Sequence, residues 1–195
     1  MAKIIGLTGG IGSGKTTIVN YIASKNIPVY IADDAGKRVM EQAEIIQRIN
    51  LLFDGKVLLN NRQLDRKKIA SLVFNDSEKL EALNKIVHPA VADDFKLFCQ
   101  KFEKEVVIVK ESAILFESGA YKNCDATILV TAPQSVRIHR VMKRDNISEE
   151  EVEQRMKNQM SDEEKIPYAD FVITNIDLKE AYKQTDAVLS QFLMK

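Results

Sequence analysis

Short apolar runs rich in β-branched residues alternate along the chain with longer amphipathic stretches. The short runs predict strands at Lys3–Thr8, Pro28–Ala32, Glu105–Lys110, Ala126–Thr131 and Asp170–Thr174. The longer stretches repeat their apolar residues at helical spacing and predict helices at Lys15–Lys25, Asp34–Leu52, Arg66–Phe74, Asp76–Phe102, Pro133–Arg144, Ser148–Met160 and Leu178–Met194. Because strand and helix alternate, the pattern predicts an α/β fold with a parallel five-stranded sheet flanked by helices.

The spacing of the predicted strands is uneven and indicates one domain with two appendages. About seventy residues separate the second strand from the third, and they carry only a helical pattern. A single crossover needs far less chain, so residues about 40–103 are interpreted as a helical insertion, in which Pro89 is expected to bend or break the helix. A charged excursion covers about 145–168, where Ser148 and Glu151 predict a capping box. The core is then residues 1–39, 104–144 and 169–195.

Composition narrows the class of protein. The chain has 195 residues, of which 45% are apolar and 29% charged, which excludes disordered and collagen-like classes. Lys and Arg number 28, as do Asp and Glu, so the basic excess typical of nucleic-acid binding is missing. Cys99 and Cys124 form no paired motif and are expected to be reduced thiols. With no signal peptide and no apolar run long enough to span a membrane, we expect a soluble, cytoplasmic protein.

The segment Gly9–Thr16 matches the phosphate-binding pattern G-x-x-x-x-G-K-[ST] at every position. A strand precedes it and a helix follows, so its backbone N–H groups and the helix N-terminus would face phosphate oxygens. Lys15 is expected to neutralise the β and γ phosphates of ATP, and the Thr16 hydroxyl to bind Mg²⁺. A glycine-rich turn with a chance lysine is the alternative. The predicted nucleotide-binding residues are Gly10, Ile11, Gly12, Ser13, Gly14, Lys15, Thr16 and Thr17.

This motif alone leaves a kinase, a switch GTPase and a mechanical ATPase open. A GTPase needs a D-x-x-G motif well downstream and an N-K-x-D motif that reads guanine. Asp33–Gly36 has the letters of the first motif but follows Lys15 too closely to leave room for a switch loop. Asn84–Val87 lacks the aspartate of the second motif. The sequence therefore disfavours a GTPase.

Asp33 directly follows the second predicted strand, and ligands of open parallel sheets gather at the carboxyl ends of strands. An aspartate there can accept or orient the proton of an attacking hydroxyl group during phosphoryl transfer. Alternatively, Asp33 only caps the helix that begins at Asp34–Ala35. Position alone does not choose between these roles, and Asp34 is the expected helix-start carboxylate.

Arg137, Arg140 and Arg144 lie at i, i+3 and i+7, on one face of the helix after the fourth strand. Neighbouring guanidinium groups repel each other unless an anion lies there, and Arg155 with Gln159 could close over the same place. The arrangement suits a kinase lid that excludes water and brings cations to the transferring phosphoryl group. The alternative is a solvated face balanced by nearby glutamates. We favour the lid for Arg140 and Arg144.

Together these motifs resemble the dephospho-CoA kinase family along essentially the whole chain. The opening Ile5–Thr16 resembles the family's first strand and P-loop, and Asp33 stands where the family carries its catalytic aspartate. Further matches are His88-Pro89, Ile114–Glu117, Arg140, Arg144-Asp145, Arg155 with Gln159, and Ala169–Asn175. Two positions depart from the family pattern, because Ile31 replaces a common aspartate and Ala113 a common proline.

The resemblance implies a P-loop kinase of coenzyme A synthesis, with ATP as co-substrate, Mg²⁺, and dephospho-CoA as the small-molecule substrate. Asp33 would activate the ribose 3′-hydroxyl group, while Lys15, Arg140 and Arg144 would stabilise the transferring phosphoryl group. Asn175 would lie near the nucleotide base. The helical insertion would hold the acceptor, and the implied substrate-binding residues are Thr8, Asp33, His88, Leu115 and Glu117, with Leu115 alternatively a core residue.

Two other functions stay open at this point. One is a nucleoside or nucleoside-monophosphate kinase, which has the same layout of core, acceptor region and lid. The other is a nucleotide-dependent regulatory module with slow hydrolysis, which the missing guanine motif and the arginines within the chain disfavour. We expect neither nucleic acid nor a membrane as a partner, and a monomer or weak homo-oligomer.

Overall fold

The computed structural model describes residues 2–74 and 76–193. Five parallel strands form one sheet in the spatial order β2-β3-β1-β4-β5, where β1 is Lys3–Thr8, β2 Val29–Ile31, β3 Val107–Glu111, β4 Ala126–Thr131 and β5 Phe171–Thr174. Each predicted strand is confirmed to within two residues. The parallel sheet with helical crossovers confirms the predicted α/β fold. β1 lies at the centre, hydrogen-bonded on both edges.

The helices among the described residues are α1 Lys15–Ser24, α2 Ala32–Val39, α3 Ala43–Leu52, α4 Arg66–Val73, α5 Ser77–Lys101, α6 Gln134–Asp145, α7 Glu149–Met156, α8 Asp162–Lys165 and α9 Leu178–Leu193. Short 3-10 helices occur at Ala120–Asn123 and Ile166–Tyr168. The predicted end of the last helix, at Met194, lies outside the described residues. In the ranges that the structure describes, no helix is both long and apolar enough to cross a membrane.

The predicted single helix over Asp34–Leu52 is wrong, because the helix is interrupted between Val39 and Ala43. α2 buries Val39, and α3 buries Ile45. In one continuous helix these two side chains would point about 120° apart, so they could not face the same neighbour. The break redirects the chain and lets both α2 and α3 pack on α5.

Pro89 lies inside α5, which continues on both sides of it, so the proline does not break the helix, and the alternative expectation of a bend stays a prediction. Proline removes one backbone hydrogen bond from a helix. Apolar packing holds the helix nonetheless, since Leu83 and Val87 before the proline and Ala90 after it belong to one cluster.

The predicted lid helix Ser148–Met160 ends early, and the separate short helix α8 follows it. The predicted capping box is confirmed, because the Glu151 N–H donates to Ser148 Oγ at 3.3 Å and the Ser148 N–H donates to Glu151 Oε2 at 3.0 Å. Ser161 and Glu164 form the same box at the start of α8, with bonds of 3.2 and 2.7 Å. The repeated Ser-x-x-Glu pattern is a signal that could have indicated this second start.

By its internal contacts the chain divides into two compact units, the first comprising Met1–Ile31 and Phe102–Lys195 and the second Ala32–Lys101. The first unit contains the whole sheet with α1 and α6 to α9. Its main core includes Ile5, Leu7, Ile18, Val109, Ile128, Ile173 and Leu189. A smaller cluster joins α6 to α7 through Ile138, Val141 and Val152.

The second unit consists of helices α2 to α5. Its core includes Ile45, Ile49, Phe53, Val57, Leu64, Ile69 and Leu83. The unit begins at Ala32, whereas the predicted insertion begins near residue 40, because α2 packs on α5. Asp33 therefore belongs with the inserted helices.

The two cysteines form no disulfide, and both are half-buried. Cys124 lies in the first unit beside Gly6 of β1, where a Cβ would stand 2.9 Å from its sulfur. Burial raises the pKa of the Cys124 thiol above its usual value. Cys99 lies in α5, within the second unit.

Candidate active site

A tight loop joins β1 to α1 and carries the predicted phosphate-binding residues. Gly12 and Gly14 have φ angles of 79° and 85°, which residues with a side chain adopt only with strain. A Cβ at Gly12 would lie 2.5 Å from the backbone oxygen of Arg137, and one at Gly14 would strike the Asn175 amide. The Thr17 N–H donates to the Gly14 carbonyl at 3.0 Å as the helix begins. Both the turn and its close neighbours therefore require these glycines.

The backbone donors of this loop suit an anion. The N–H groups of Gly12, Gly14 and Thr16 have no acceptor among the residues that the structure describes. They lie at the start of α1, where the helix carries partial positive charge. In the same described part of the chain, the buried hydroxyl oxygens of Thr8 and Ser13 also lack a hydrogen-bond partner. A polyphosphate would satisfy backbone donors of this kind.

Lys15 forms an ion pair with Glu111, the last residue of β3. Strand register sets Glu111 level with Leu7 of β1 and Ile31 of β2, at the carboxyl edge of the sheet. The Glu111 side chain is only 5% exposed, and a carboxylate so buried requires a charged or hydrogen-bonding partner. The sequence-based prediction missed Glu111. A charged residue that ends an apolar strand is the signal that could have found it.

Asn175 and Arg140 contact the carbonyl groups of the loop. The buried Asn175 amide donates from Nδ2 to the Ser13 carbonyl at 2.9 Å. Arg140 donates from Nη2 to the Asn175 carbonyl at 3.0 Å, and its Nη1 lies 3.5 Å from the carbonyl oxygens of Gly12 and Ser13. The structure thus brings both predicted residues to the phosphate loop.

Arg137 shares a helix face with Arg140 but is buried. Its Nε donates to the Ile11 carbonyl at 2.9 Å, and its Nη1 lies 2.9 Å from the Asp162 carboxylate. The Thr131 hydroxyl donates to the same carboxylate. Arg137 is therefore part of the packing that supports the loop.

Arg144, at the end of α6, forms two hydrogen bonds to the Asp145 carboxylate, of 2.7 and 3.0 Å. Arg155 of α7 reaches the same carboxylate at 2.8 Å, so Asp145 links the two guanidinium groups. The hydrogen bond from Arg144 lowers the pKa of Asp145 below its ordinary value of 3.8, and Asp145 raises the pKa of Arg144. The Arg144 side chain is 62% exposed.

Glu117 contacts the segment that leads into and through α8. Its Oε1 accepts the Met160 N–H at 3.1 Å and lies 3.0 Å from Nζ of Lys165, whose side chain is fully buried. Leu115 is fully buried beside Gly6. The expected contacts of Glu117 and Leu115 with an acceptor stay predictions.

Two of the predicted site residues belong to the second unit. Asp33 is exposed in the first turn of α2, which begins at Ala32, so it lies within the helix rather than capping a later start. Asp34 pairs with Lys37 at 2.8 Å, and this hydrogen bond lowers the pKa of Asp34. His88 is exposed on α5.

A family model described as dephospho-CoA kinase matches residues 3–180. The chain belongs to the dephospho-CoA kinase family. The match includes the whole second unit, most of the first and every predicted site residue, and it confirms the resemblance carried by the motifs. As a member of a kinase family, the chain is an enzyme, and the regulatory-module alternative loses its support.

Curated members of the dephospho-CoA kinase family are similar over nearly their whole length. The dephospho-CoA kinase of Fusobacterium nucleatum is 41% identical over 184 residues, which cover 94% of this chain and 95% of that protein. The dephospho-CoA kinase of Bacillus cereus is 40% identical over 178 residues, which cover 90% and 89%.

Solved structures agree with the fold. A structure from Thermus thermophilus is 36% identical and superposes with a TM-score of 0.87, covering 100% of this chain and 99% of that one. The dephospho-CoA kinase from Campylobacter jejuni, 23% identical, has a TM-score of 0.66 and covers 98% and 97%. A shikimate kinase from Acinetobacter baumannii, 13% identical, has a TM-score of 0.54 and covers 99% and 94%. The last two comparisons show the fold alone, that of a P-loop kinase.

Asp162 and Lys165 are two further charged residues of this dephospho-CoA kinase family member that the sequence patterns did not single out. Both lie in α8 and both are buried. Their ion pairs with Arg137 and Glu117 attach α8 to the sheet unit. A four-residue helix is too short for its buried face to appear as a period in the sequence.

Proposed function

We propose that this chain transfers the γ-phosphoryl group of ATP to the ribose 3′-hydroxyl group of dephospho-CoA, giving coenzyme A and ADP in the last step of coenzyme A synthesis. The family match over residues 3–180 carries the proposal. The phosphate loop supports it, because its glycines, lysine and threonine are all present and the loop has backbone donors available for phosphate.

The loop residues Gly10 to Thr17 are proposed to hold the triphosphate. Backbone N–H groups would bind phosphate oxygens, and Lys15 would approach the β and γ phosphates. Asn175, which is buried against Ser13, is proposed to lie near the nucleotide base.

Magnesium is proposed to accompany ATP at this loop. The exposed Thr16 hydroxyl fits it as a hard oxygen ligand, whereas the buried Glu111 carboxylate could bind the ion only by giving up its ion pair with Lys15. The described residues hold no cluster of three or more His, Cys, Asp or Glu side chains that could bind a metal alone, and Mg²⁺ in kinases takes most of its ligands from water and phosphate. When bound, the ion would supply positive charge to the phosphate oxygens.

Asp33 is proposed as the general base. The ribose 3′-oxygen attacks the γ phosphorus, the bond from that phosphorus to the β–γ bridging oxygen breaks, and ADP leaves. Asp33 accepts the hydroxyl proton. Its place in the chain supports this role, because it follows β2 by two residues and the last residue of β2 is level with Glu111.

Arg140 and Arg144 are proposed to stabilise the charge on the transferring phosphoryl group. Arg140 is already at the loop, whereas Arg144 would have to exchange the Asp145 carboxylate for a phosphate oxygen. The acceptor is proposed to be held by the unit Ala32–Lys101, with His88 among its contacts, and by Thr8, Leu115 and Glu117. A cytoplasmic location and a monomeric or weakly associating state stay predictions.

The test is a coupled ADP-release assay with ATP and Mg²⁺. Dephospho-CoA is added as acceptor, and adenosine and AMP are added in parallel as rival acceptors. Turnover that requires dephospho-CoA supports the proposal. Turnover with adenosine or AMP alone would contradict it and favour a nucleoside or nucleotide kinase.

A further inference from the structure

Gln159 lies between α7 and α8 and contacts the phosphate loop directly. Its Oε1 accepts the N–H of Ile11 at 3.0 Å. A backbone N–H can only donate, so the orientation of the side-chain amide is fixed by chemistry, with Oε1 toward Ile11 and Nε2 directed elsewhere. Nε2 has no acceptor among residues 2–74 and 76–193. The structure therefore holds an unused N–H donor group beside the loop.

Both partners of this contact, the Ile11 backbone and the segment that carries Gln159, are held by further hydrogen bonds. The Ile11 carbonyl accepts from Arg137, whose guanidinium group also takes part in a buried ion pair. The residue after Gln159, Met160, donates its N–H to Glu117 at 3.1 Å. The side-chain amide of Gln159 is thus held by the loop, while the backbone on either side of it is held by the Met156 carbonyl of α7 at 3.1 Å and by Glu117.

The position of Ile11 in the loop indicates which phosphate Gln159 can reach. Ile11 is the third residue of Gly9–Thr16, whereas the residues that bind the α and β phosphates come later, toward the start of α1. A donor attached at Ile11 therefore lies toward the outer, γ-phosphoryl end of a bound triphosphate. Fixed donors at that end can stabilise charge as the phosphoryl group transfers, because they need no reorganisation.

We propose that Gln159 binds the γ-phosphoryl group of ATP through Nε2 while its Oε1 stays on the Ile11 N–H. The residue then distinguishes ATP from ADP and connects the predicted lid to the phosphate loop. This inference rests on the proposed function only in taking ATP as the phosphoryl donor.

The test measures binding of ADP and of a non-hydrolysable ATP analogue, each with Mg²⁺ and without acceptor, by isothermal titration calorimetry. Gln159→Met removes both the acceptor and the donor of the amide. Gln159→Glu keeps an acceptor for Ile11 but replaces the donor with a negative charge. Gln154→Met, at an exposed position of α7, is the matched control.

Losing a hydrogen bond to a charged phosphate is expected to weaken analogue binding by roughly 10-fold or more in Gln159→Met, with ADP binding within about twofold of wild type. Gln159→Glu is expected to lose at least as much, because its charge repels the γ-phosphoryl oxygens. The control variant should bind both nucleotides as wild type does.

A purely structural role for Gln159 predicts different nucleotide affinities for the two variants. Gln159→Glu would then bind the analogue as wild type does, since Ile11 keeps an acceptor, or Gln159→Met would lose ADP and analogue affinity equally. Either result overturns the proposal. Because no acceptor is present, these titrations do not depend on whether dephospho-CoA is the substrate, which the turnover assay decides separately.

Discussion

The ammonium group of Lys15 and the buried carboxylate of Glu111 form an ion pair at the carboxyl edge of the central strands. The phosphate loop thus contains its essential cation already balanced by an anion. Replacing one partner leaves the other without its opposite charge, and a buried, unpaired carboxylate is costly. Stability and activity therefore depend on this pair in different ways.

Lys15→Met is expected to lower turnover by roughly 100-fold or more, because it removes the cation at the β and γ phosphates. It should also lower the free energy of unfolding by about 3–5 kcal/mol, since Glu111 stays buried and unpaired. Adding Glu111→Gln should restore most of the unfolding free energy but not the turnover. Urea denaturation and the ADP-release assay measure the two quantities. A double variant as unstable as Lys15→Met would contradict the argument.

Asp33→Asn is expected to lower kcat by roughly 10²–10⁴-fold and to leave ATP binding nearly unchanged, because the amide cannot accept the hydroxyl proton. Asp34→Asn is the matched control, since the neighbouring carboxylate only pairs with Lys37 on the surface of α2. It should retain near wild-type turnover. Equal kinetics for the two variants would remove Asp33 from the catalytic machinery.

Glu117→Gln is expected to lower the free energy of unfolding by about 3 kcal/mol, because the fully buried Lys165 ammonium group loses its counter-ion. Lys165→Met should cost less, since the Glu117 side chain is 20% exposed and can be hydrated in part. The double variant should be more stable than Glu117→Gln alone. Urea denaturation of the three variants checks this order, and the reverse order would show that the pair does not govern the attachment of α8.

The Asp145 carboxylate is expected to stabilise the folded protein in a pH-dependent way. Its pKa is lowered in the folded state, so the stabilisation is fully present above its ordinary pKa of 3.8 and is lost as the pH falls through the lower folded value. Asp145→Asn should therefore be less stable than wild type near neutral pH, with the difference shrinking in acid below that value. Urea denaturation of both proteins over a pH series measures this difference in the free energy of unfolding. If the free energy of unfolding changed with pH equally in both proteins, the hydrogen bonds of Asp145 to Arg144 and Arg155 would contribute nothing to stability.

The strands and the phosphate loop could be predicted because their signals are local. A β-branched run such as Ala126–Thr131 shows its buried strand directly, and the glycines of the loop serve a turn that lies within a few residues. The break after α2 could not be predicted in this way. It depends on α2 and α3 both packing on α5, which follows them in the chain.

The partners of the arginines could not be predicted from the sequence pattern either. Arg137, Arg140 and Arg144 share one helix face, yet Arg137 is buried and Arg144 is exposed. The difference comes from what lies against each turn of α6, namely Asp162 at one end and Asp145 at the other. Helical spacing places side chains on a face but does not say which distant element covers it.

Cys99 and Cys124, which form no disulfide, fall one in each compact unit. Because both are half-buried, a thiol reagent would modify each mainly when its surroundings open, and peptide mass spectrometry would follow the two labelling rates separately. We expect nucleotide to slow the modification of Cys124 more than that of Cys99, and acceptor to do the reverse. Labelling in that order would give the unaltered protein a chemical reporter for each half of the reaction that it is proposed to perform.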